Sequence, residues 1–438
     1  MSLLRRQFLS LLASTSTLAM RTAHADSPPT AMAHVPWSRQ AAIYELNVRQ
    51  FTADGTLKAA LADLPRLKGM GVDIVWLMPI QPIGKVNRKG TLGSYYSIRD
   101  YVAVNPEFGT LADARAFVQA AHAQGMKVIL DWVANHTAFD HPWTREHKDW
   151  YKLDAHGEIF PVTFNAGAPN EEHWSDVTAL NYDAPALRDA MIAAMQFWLR
   201  EIDLDGFRCD VASLVPTPFW ERARRELDAV KPMFMLAESD AVDLHRSAFD
   251  MTYSWDLARL FHDIGQGKAG AAELREWAAK EPHGFPPSAY RMRFTSNHDF
   301  NSWNGTDAEL YGDNYLPLAV LTFTLPGMPL IYDGQEARLT KRLEFFEKDA
   351  IDWRTRELQP FYTRLLALKH AHPALANGQY GGAMTMLDVG NERLFAFRRA
   401  LGSDSVSVVV NLTASEQALR LGASERSLPA HGWLIESP

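Results

Sequence analysis

Arg208 and Asp210 stand two positions apart in GFRCDVA, residues 206–212, and on a strand such positions share a face. A guanidinium beside a carboxylate favours its ionised form, and an ionised, oriented Asp is what attacks a sugar carbon in a double displacement. Cys209 between them should face the other way as a buried apolar filler; it is the only cysteine, so no internal disulfide forms. Three further polar patches end apolar runs: Asp131 with Asn135 and His136 in DWVANH, Glu238 in LAES, and Asn297, His298 and Asp299 in FTSNHD. Two carboxylates about 5 Å apart would suffice for a retaining glycosidase, one attacking and one protonating the leaving oxygen.

Such patches need a scaffold that brings them together. Apolar runs at 42–48, 73–78, 127–131, 206–210, 233–238, 249–253, 291–297 and 329–332 read as strands, alternating with amphipathic helices at 58–69, 111–124, 185–202 and 218–229. Eight such units in roughly 290 residues match a (β/α)8 TIM barrel, an α/β fold whose catalytic groups sit at the C-terminal strand ends. Residues 137–182 read as a short insertion after the third strand, rich in His, Trp, Pro and Asn and without a long periodic segment. Trp143, Trp150 and Trp174 within it are candidates either for sugar contacts or for ordinary packing. After a helix near 357–371, β-rich segments at 383–389, 393–399, 405–412, 416–421 and 431–436 predict a C-terminal antiparallel β-sandwich. The expected organisation is a catalytic barrel over 26–355 and a helix plus sandwich domain over 356–438.

Composition narrows the function classes. Hydrophobic residues make up 47% and charged residues 22% of the 438, the balance of a globular protein. A formal net charge of −8 without a basic cluster argues against nucleic acid. Arg5-Arg6 precede an apolar stretch from Phe8 to Met20, and Ala23-His24-Ala25 follows as a small-x-small cleavage site. Residues 1–25 thus predict an export signal resembling the twin-arginine type, with a periplasmic or secreted mature protein that has no membrane segment after cleavage.

The motifs DWVANH (131–136), GFRCDVA (206–212), LAES (236–239) and FTSNHD (294–299), in this order, resemble the four signature regions of the α-amylase family, glycoside hydrolase family 13. LPGMPLIYDGQE (325–336) and LGSYYSIRDY (92–101) extend the likeness. The resemblance implies Asp210 as nucleophile, Glu238 as proton donor and Asp299 as the carboxylate that binds sugar hydroxyls and favours a distorted ring. It also implies Arg208 beside the nucleophile, His136 and His298 on sugar hydroxyls, and Tyr96 as a stacking platform. The implied reaction is retaining hydrolysis of α-1,4-glucosidic bonds in starch or maltooligosaccharides, with an α-glucan or oligosaccharide as partner of a monomer. A transglycosylase, a hydrolase of trehalose or sucrose, and a catalytically silent carbohydrate-binding protein are the rival readings.

Two departures matter. Many starch-acting members carry Lys-His three and four residues after the nucleophile, where this chain has Ser213-Leu214. Members often hold calcium with the Asn of the first motif and an Asp in a DLN-like motif. Here Asn135 is present but Ala179 replaces the carboxylate, so no metal and no other cofactor is expected.

Overall fold

Eight parallel strands close into a barrel in the computed structural model, which describes residues 32–165 and 171–437. β1 (Ile43–Leu46), β2 (Ile74–Leu77) and β3 (Lys127–Trp132) begin it, and β4 (His136–Ala138), β5 (Pro161–Phe164) and β6 (Glu172–Ala179) form the insertion. β7 (Gly206–Cys209), β8 (Phe234–Ala237), β9 (Met251–Tyr253), β10 (Tyr290–Arg293) and β11 (Met328–Tyr332) complete the circuit. The cyclic order is β1, β11, β10, β9, β8, β7, β3, β2, so β8 lies diametrically across from β1. The export signal expected over residues 1–25 lies outside the described residues. Among the described residues no helix is long and apolar enough to cross a membrane.

Strand parity sorts the side chains. Ile43, Ile74, Trp76, Ile129, Phe234 and Leu236 fill the barrel interior, while Tyr44, Val75, Leu77, Val128, Phe207, Cys209 and Met235 pack outward against the helices. Such strands are buried on both faces, which is why they read as continuous apolar runs. Toward the C-terminal rim the inward positions turn polar, with Glu45, Asp131 and Arg208 all fully buried. Gly206 allows β7 and β8 to approach, since a Cβ there would sit 2.0 Å from the Phe234 carbonyl oxygen.

At the opposite end, Asp250 gathers Arg224 at 2.8 Å, the Met235 N–H at 2.8 Å and His34 at 2.7 Å. Burial alone would raise the Asp250 carboxyl, but Arg224 and His34 more than offset it and hold it below the ordinary range. This network fastens the first described residues to the barrel base.

The structure departs from the sequence reading in four places. The helix expected over 58–69 is two helices, Leu57–Leu61 and Leu64–Met70, because Pro65 has no N–H to give and its ring crowds the preceding turn. The strand expected to reach residue 297 stops at Arg293; Asn297 Oδ1 instead accepts the Phe300 N–H at 2.8 Å, a local bond that competes with the ladder. The insertion is an antiparallel sheet in the order β4, β6, β5, with β6 eight residues long. The C-terminal region gains a strand at Ser424–Leu428, which pairs as a hairpin with Gln417–Leu421 beside a four-stranded sheet. Leu419 and Leu428 of that hairpin pack on Leu394, Ala396 and Val409 of the sheet, making the sandwich. Alternate sheet residues, Phe395, Phe397, Val406 and Val408, join the main core around the barrel.

Candidate active site

A cavity of about 930 Å³ opens at the C-terminal ends of the strands. Asp210, Glu238, Asp299, Tyr96, His136 and His298 all line it, and Arg208 lies directly beneath. The carboxylates expected from β7, β8 and the segment after β10 therefore share one chamber.

Arg208 organises the floor. Its Nη1 donates to Asp131 Oδ1 at 2.9 Å and to Asp210 Oδ1 at 3.1 Å, and its Nε donates to the Tyr253 hydroxyl at 3.2 Å. Nη2 lies 3.0 Å from Glu238 Oε2 but makes no hydrogen bond there, so Glu238 feels the Arg208 charge without accepting a hydrogen bond from it. Asp131 is itself braced by the Trp76 indole at 3.1 Å and the Tyr96 hydroxyl at 3.0 Å. Removing Arg208 from this network would cost about 3–5 kcal/mol, because the carboxylates it serves are left unpaired.

The backbone turns sharply after Asp210. Val211 adopts φ 36° and ψ 48°, a left-handed conformation that a β-branched residue rarely occupies and that costs roughly 1–3 kcal/mol. The turn aims Asp210 into the cavity and points the Val211 N–H at Glu238 Oε2, 2.8 Å away. Strain at this position is thus coupled to the placement of both carboxyl groups.

The electrostatics differ from a simple Arg–Asp pair. Burial, then the neighbouring Glu238, pushes Asp210 well above the usual carboxylate range, and Arg208, shared among several acids, does not restore it. Burial and then Asp299 raise Glu238 as well, against the pull of Arg208. Both carboxyls therefore hold their protons to higher pH than free carboxylates do.

Asp299 behaves oppositely: burial would raise it, but His298 outweighs burial and lowers it. His298 is held well above the ordinary histidine range against burial, by Asp299 and Glu45. Its Nδ1 lies 2.5 Å from Glu45 Oε1 and its Nε2 lies 2.8 Å from the Tyr96 hydroxyl and 3.2 Å from Asp299 Oδ2. The ring thus sits between two carboxyl groups, whose charge favours its protonated form. His136 has no such partner, and burial drops it to about 4, leaving a neutral ring at the cavity wall.

Tyr96 presents a half-buried ring, stacked at 5.4 Å on His298 and at 6.2 Å on Phe345. Of the three tryptophans in the insertion only Trp174 reaches the cavity, stacked 5.1 Å from Phe164. Trp150 instead stacks 3.9 Å from His147 and meets Trp143 edge-on at 5.0 Å, so those two serve packing. Sequence reasoning missed Glu45, Trp303 and Phe345. For Glu45 a signal existed, a lone carboxylate at an inward position of the apolar run AIYELNV.

The donor set for calcium does not fit. Asn135 Nδ2 faces His136 Nδ1 at 3.2 Å, while Ala179 offers a methyl and pairs through its backbone with His136. Among the described residues no three His, Cys, Asp or Glu side chains converge as a metal centre.

Comparison with known proteins agrees with this geometry. Residues 38–359 match the family model for the alpha amylase catalytic domain. An alpha-amylase of Haloarcula japonica is 29% identical over 404 residues, covering 88% of this chain and 57% of its own length. A cyclomaltodextrinase of a Bacillus species is 28% identical, covering 86% of this chain and 69% of its own length. The chain thus spans little more than half of the first relative. Among solved structures, an alpha-amylase from Lactobacillus plantarum superposes with a TM-score of 0.82 at 31% identity, covering 92% of this chain and 99% of that one.

Proposed function

The chain belongs to the alpha-amylase family, glycoside hydrolase family 13, whose catalytic-domain model matches residues 38–359, and from that premise we propose that it is a retaining α-glycoside hydrolase acting on α-1,4-linked glucans or maltooligosaccharides. The observation that carries the reading is the single guanidinium of Arg208 touching Asp210 and Glu238 at 3.1 and 3.0 Å, in one cavity with Asp299. Two carboxyl groups gathered by one guanidinium suit a double displacement, in which one attacks while the other protonates the leaving oxygen.

In the first step Glu238 gives its proton to the glycosidic oxygen as Asp210 attacks the anomeric carbon. The bond to the leaving sugar breaks and a β-glycosyl ester forms. Water then attacks that carbon, its proton passing to Glu238 while the ester electrons return to Asp210. Asp299 and the imidazolium of His298 hold hydroxyls of the sugar on Tyr96, and their preorganised charges favour the oxocarbenium-like transition state.

One observation favours transfer to a sugar as a second reading. Leu214 lines the cavity 41% exposed beside Ser213, where a sugar acceptor can pack an apolar ring face and displace water. Incubation with maltooligosaccharides, trehalose and sucrose tests both readings. Shortened maltooligosaccharides are the expected products; dominant products longer than the substrate would favour the transferase, and inertness on every α-glucoside would sink the enzyme reading. Export, expected from residues 1–25, remains part of this proposal, and signal cleavage in a cell fractionation would test it.

A further inference from the structure

Two cavity side chains have no part in the chemistry above. Asp176 on β6 is 3% exposed, and its Oδ1 lies 3.2 Å from Lys89 Nζ. Its Oδ2 is buried with no hydrogen-bond partner, although both residues line the cavity. A buried carboxylate oxygen left without a donor is costly unless a ligand supplies one. Phe346 lies 5.9 Å from Lys89 Nζ, and the 52%-exposed Trp303 lies 5.7 Å from Phe346. Aromatic faces set against a carboxylate and an ammonium suit a pyranose, which has apolar ring faces and an equatorial belt of hydroxyls.

The location identifies which sugar. Ser97, next to the Tyr96 platform, donates its hydroxyl to the Asp176 carbonyl at 3.0 Å, so Asp176 is on the Tyr96 side. β2 and β11, whose following loops carry Lys89 and Phe346, flank β1, directly across the barrel from β8 and the proton donor Glu238. The pair therefore faces the part of the substrate that stays on the enzyme.

The chain segment behind it, residues 84–93, is fastened at both sides. The Lys85 N–H reaches the Asp140 carboxylate at 3.1 Å, the Thr91 N–H reaches Glu347 at 2.8 Å, and the Leu92 N–H reaches the Phe346 carbonyl at 3.1 Å. Gly90 adopts φ +60°, and a Cβ there would meet Phe346 at 2.6 Å. This segment spans the rim from the insertion to the loop after β11.

We propose that Asp176, oriented by Lys89, recognises the non-reducing terminal glucosyl unit of an α-1,4-glucan, with segment 84–93 as the stop behind it. Only a chain end carries a free 4-hydroxyl; every internal unit has that oxygen glycosylated and without a proton to donate. An acceptor waiting for that proton selects termini, and cleavage is then measured from the end. The proposal rests on the hydrolase reading for its substrate, but its first test needs no turnover.

In an Asp210→Asn background, tryptophan fluorescence titrations compare maltotriose with maltotriose methylated at the terminal 4-oxygen. Methylation should weaken binding roughly tenfold to a hundredfold, the range of one charged hydrogen bond. Adding Asp176→Ala or, on the half-exposed side, Lys89→Met should weaken maltotriose binding and erase the difference between the two sugars. With active enzyme, reducing-end-labelled maltoheptaose should release one short product length in the first turnovers. Equal binding of the two sugars, maltotriose binding unchanged by Asp176→Ala, or a random ladder of first products would each overturn the proposal. If no hydrolysis is seen but the methyl discrimination is present, the hydrolase reading fails while this recognition site stands.

Discussion

Asp210→Asn should lower kcat/KM on maltooligosaccharides by about ten-thousand-fold or more, because the amide cannot form the glycosyl ester and the covalent route closes. A loss of that size corresponds to roughly 5–6 kcal/mol of transition-state stabilisation. Folding should not suffer in parallel. Asp210 is pushed well above the usual carboxylate range by burial and by Glu238, so its charge is unfavourably placed in the folded protein. Arg208 keeps Asp131 at 2.9 Å when Asp210 is neutralised. The thermal midpoint should therefore hold or rise while activity collapses, the pattern of a site that gives up stability for chemistry. Steady-state kinetics and a thermal melt on the same preparation check this. Retention of a tenth of the wild-type activity would remove Asp210 from the nucleophile role.

Glu238→Gln should cost about a hundredfold to ten-thousand-fold on natural sugars, the usual contribution of a general acid. The loss should shrink on α-glucosyl fluoride, whose leaving group departs without a proton. The pH profile gives a second signature with a definite sign. Burial and Asp299 raise Glu238, and burial and Glu238 raise Asp210. The wild-type bell should lie above the ordinary carboxylate range: its acid limb falls as the pair takes up a second proton and Asp210 is lost as nucleophile. Its alkaline limb falls as the shared proton leaves and Glu238 can no longer donate. With fluoride as substrate the Gln variant should lose that alkaline limb and keep the acid one. An unchanged bell in the variant would assign the proton donor elsewhere.

How legible the molecule is in its sequence follows from what each residue packs against. The barrel strands are buried on both faces, so AIYELNV, DIVWLM and KVILD announce themselves as apolar runs; the structure places β1 and β2 within the first two, and β3 runs one residue past the third. β6 does not announce itself. Its rim half carries Glu172, His173, Trp174 and Asp176, polar or amphipathic groups turned toward the cavity or solvent, and no apolar alternation is left to detect. The strand Ser424–Leu428 is exposed at four of its five positions, which hides it for a related reason.

Within the site, Arg208, Asp210, Glu238, His298 and Asp299 were visible because each ends an apolar run where a barrel exposes its chemistry. Lys89 and Phe345 come from loops and Trp303 from the short helical turn Phe300–Asn304; their convergence depends on closure of the whole barrel, and no local pattern encodes it. The electrostatics were legible only in outline. Arg208 reads from the sequence as the private partner of Asp210, whereas in three dimensions it contacts Asp131, Asp210 and Glu238 together. Burial outweighs that shared charge and raises both carboxyls above the usual range, which makes acid catalysis available beside the nucleophile.

The central claim is that Asp210 and Glu238 act as nucleophile and acid/base on one sugar, which fixes the stereochemistry. Proton NMR of the anomeric region during the first minutes of maltooligosaccharide cleavage, before mutarotation, reads this directly. The account predicts that the α-anomer appears first and the β-anomer grows in only as mutarotation proceeds. First appearance of the β-anomer would mean single displacement by water and would contradict it.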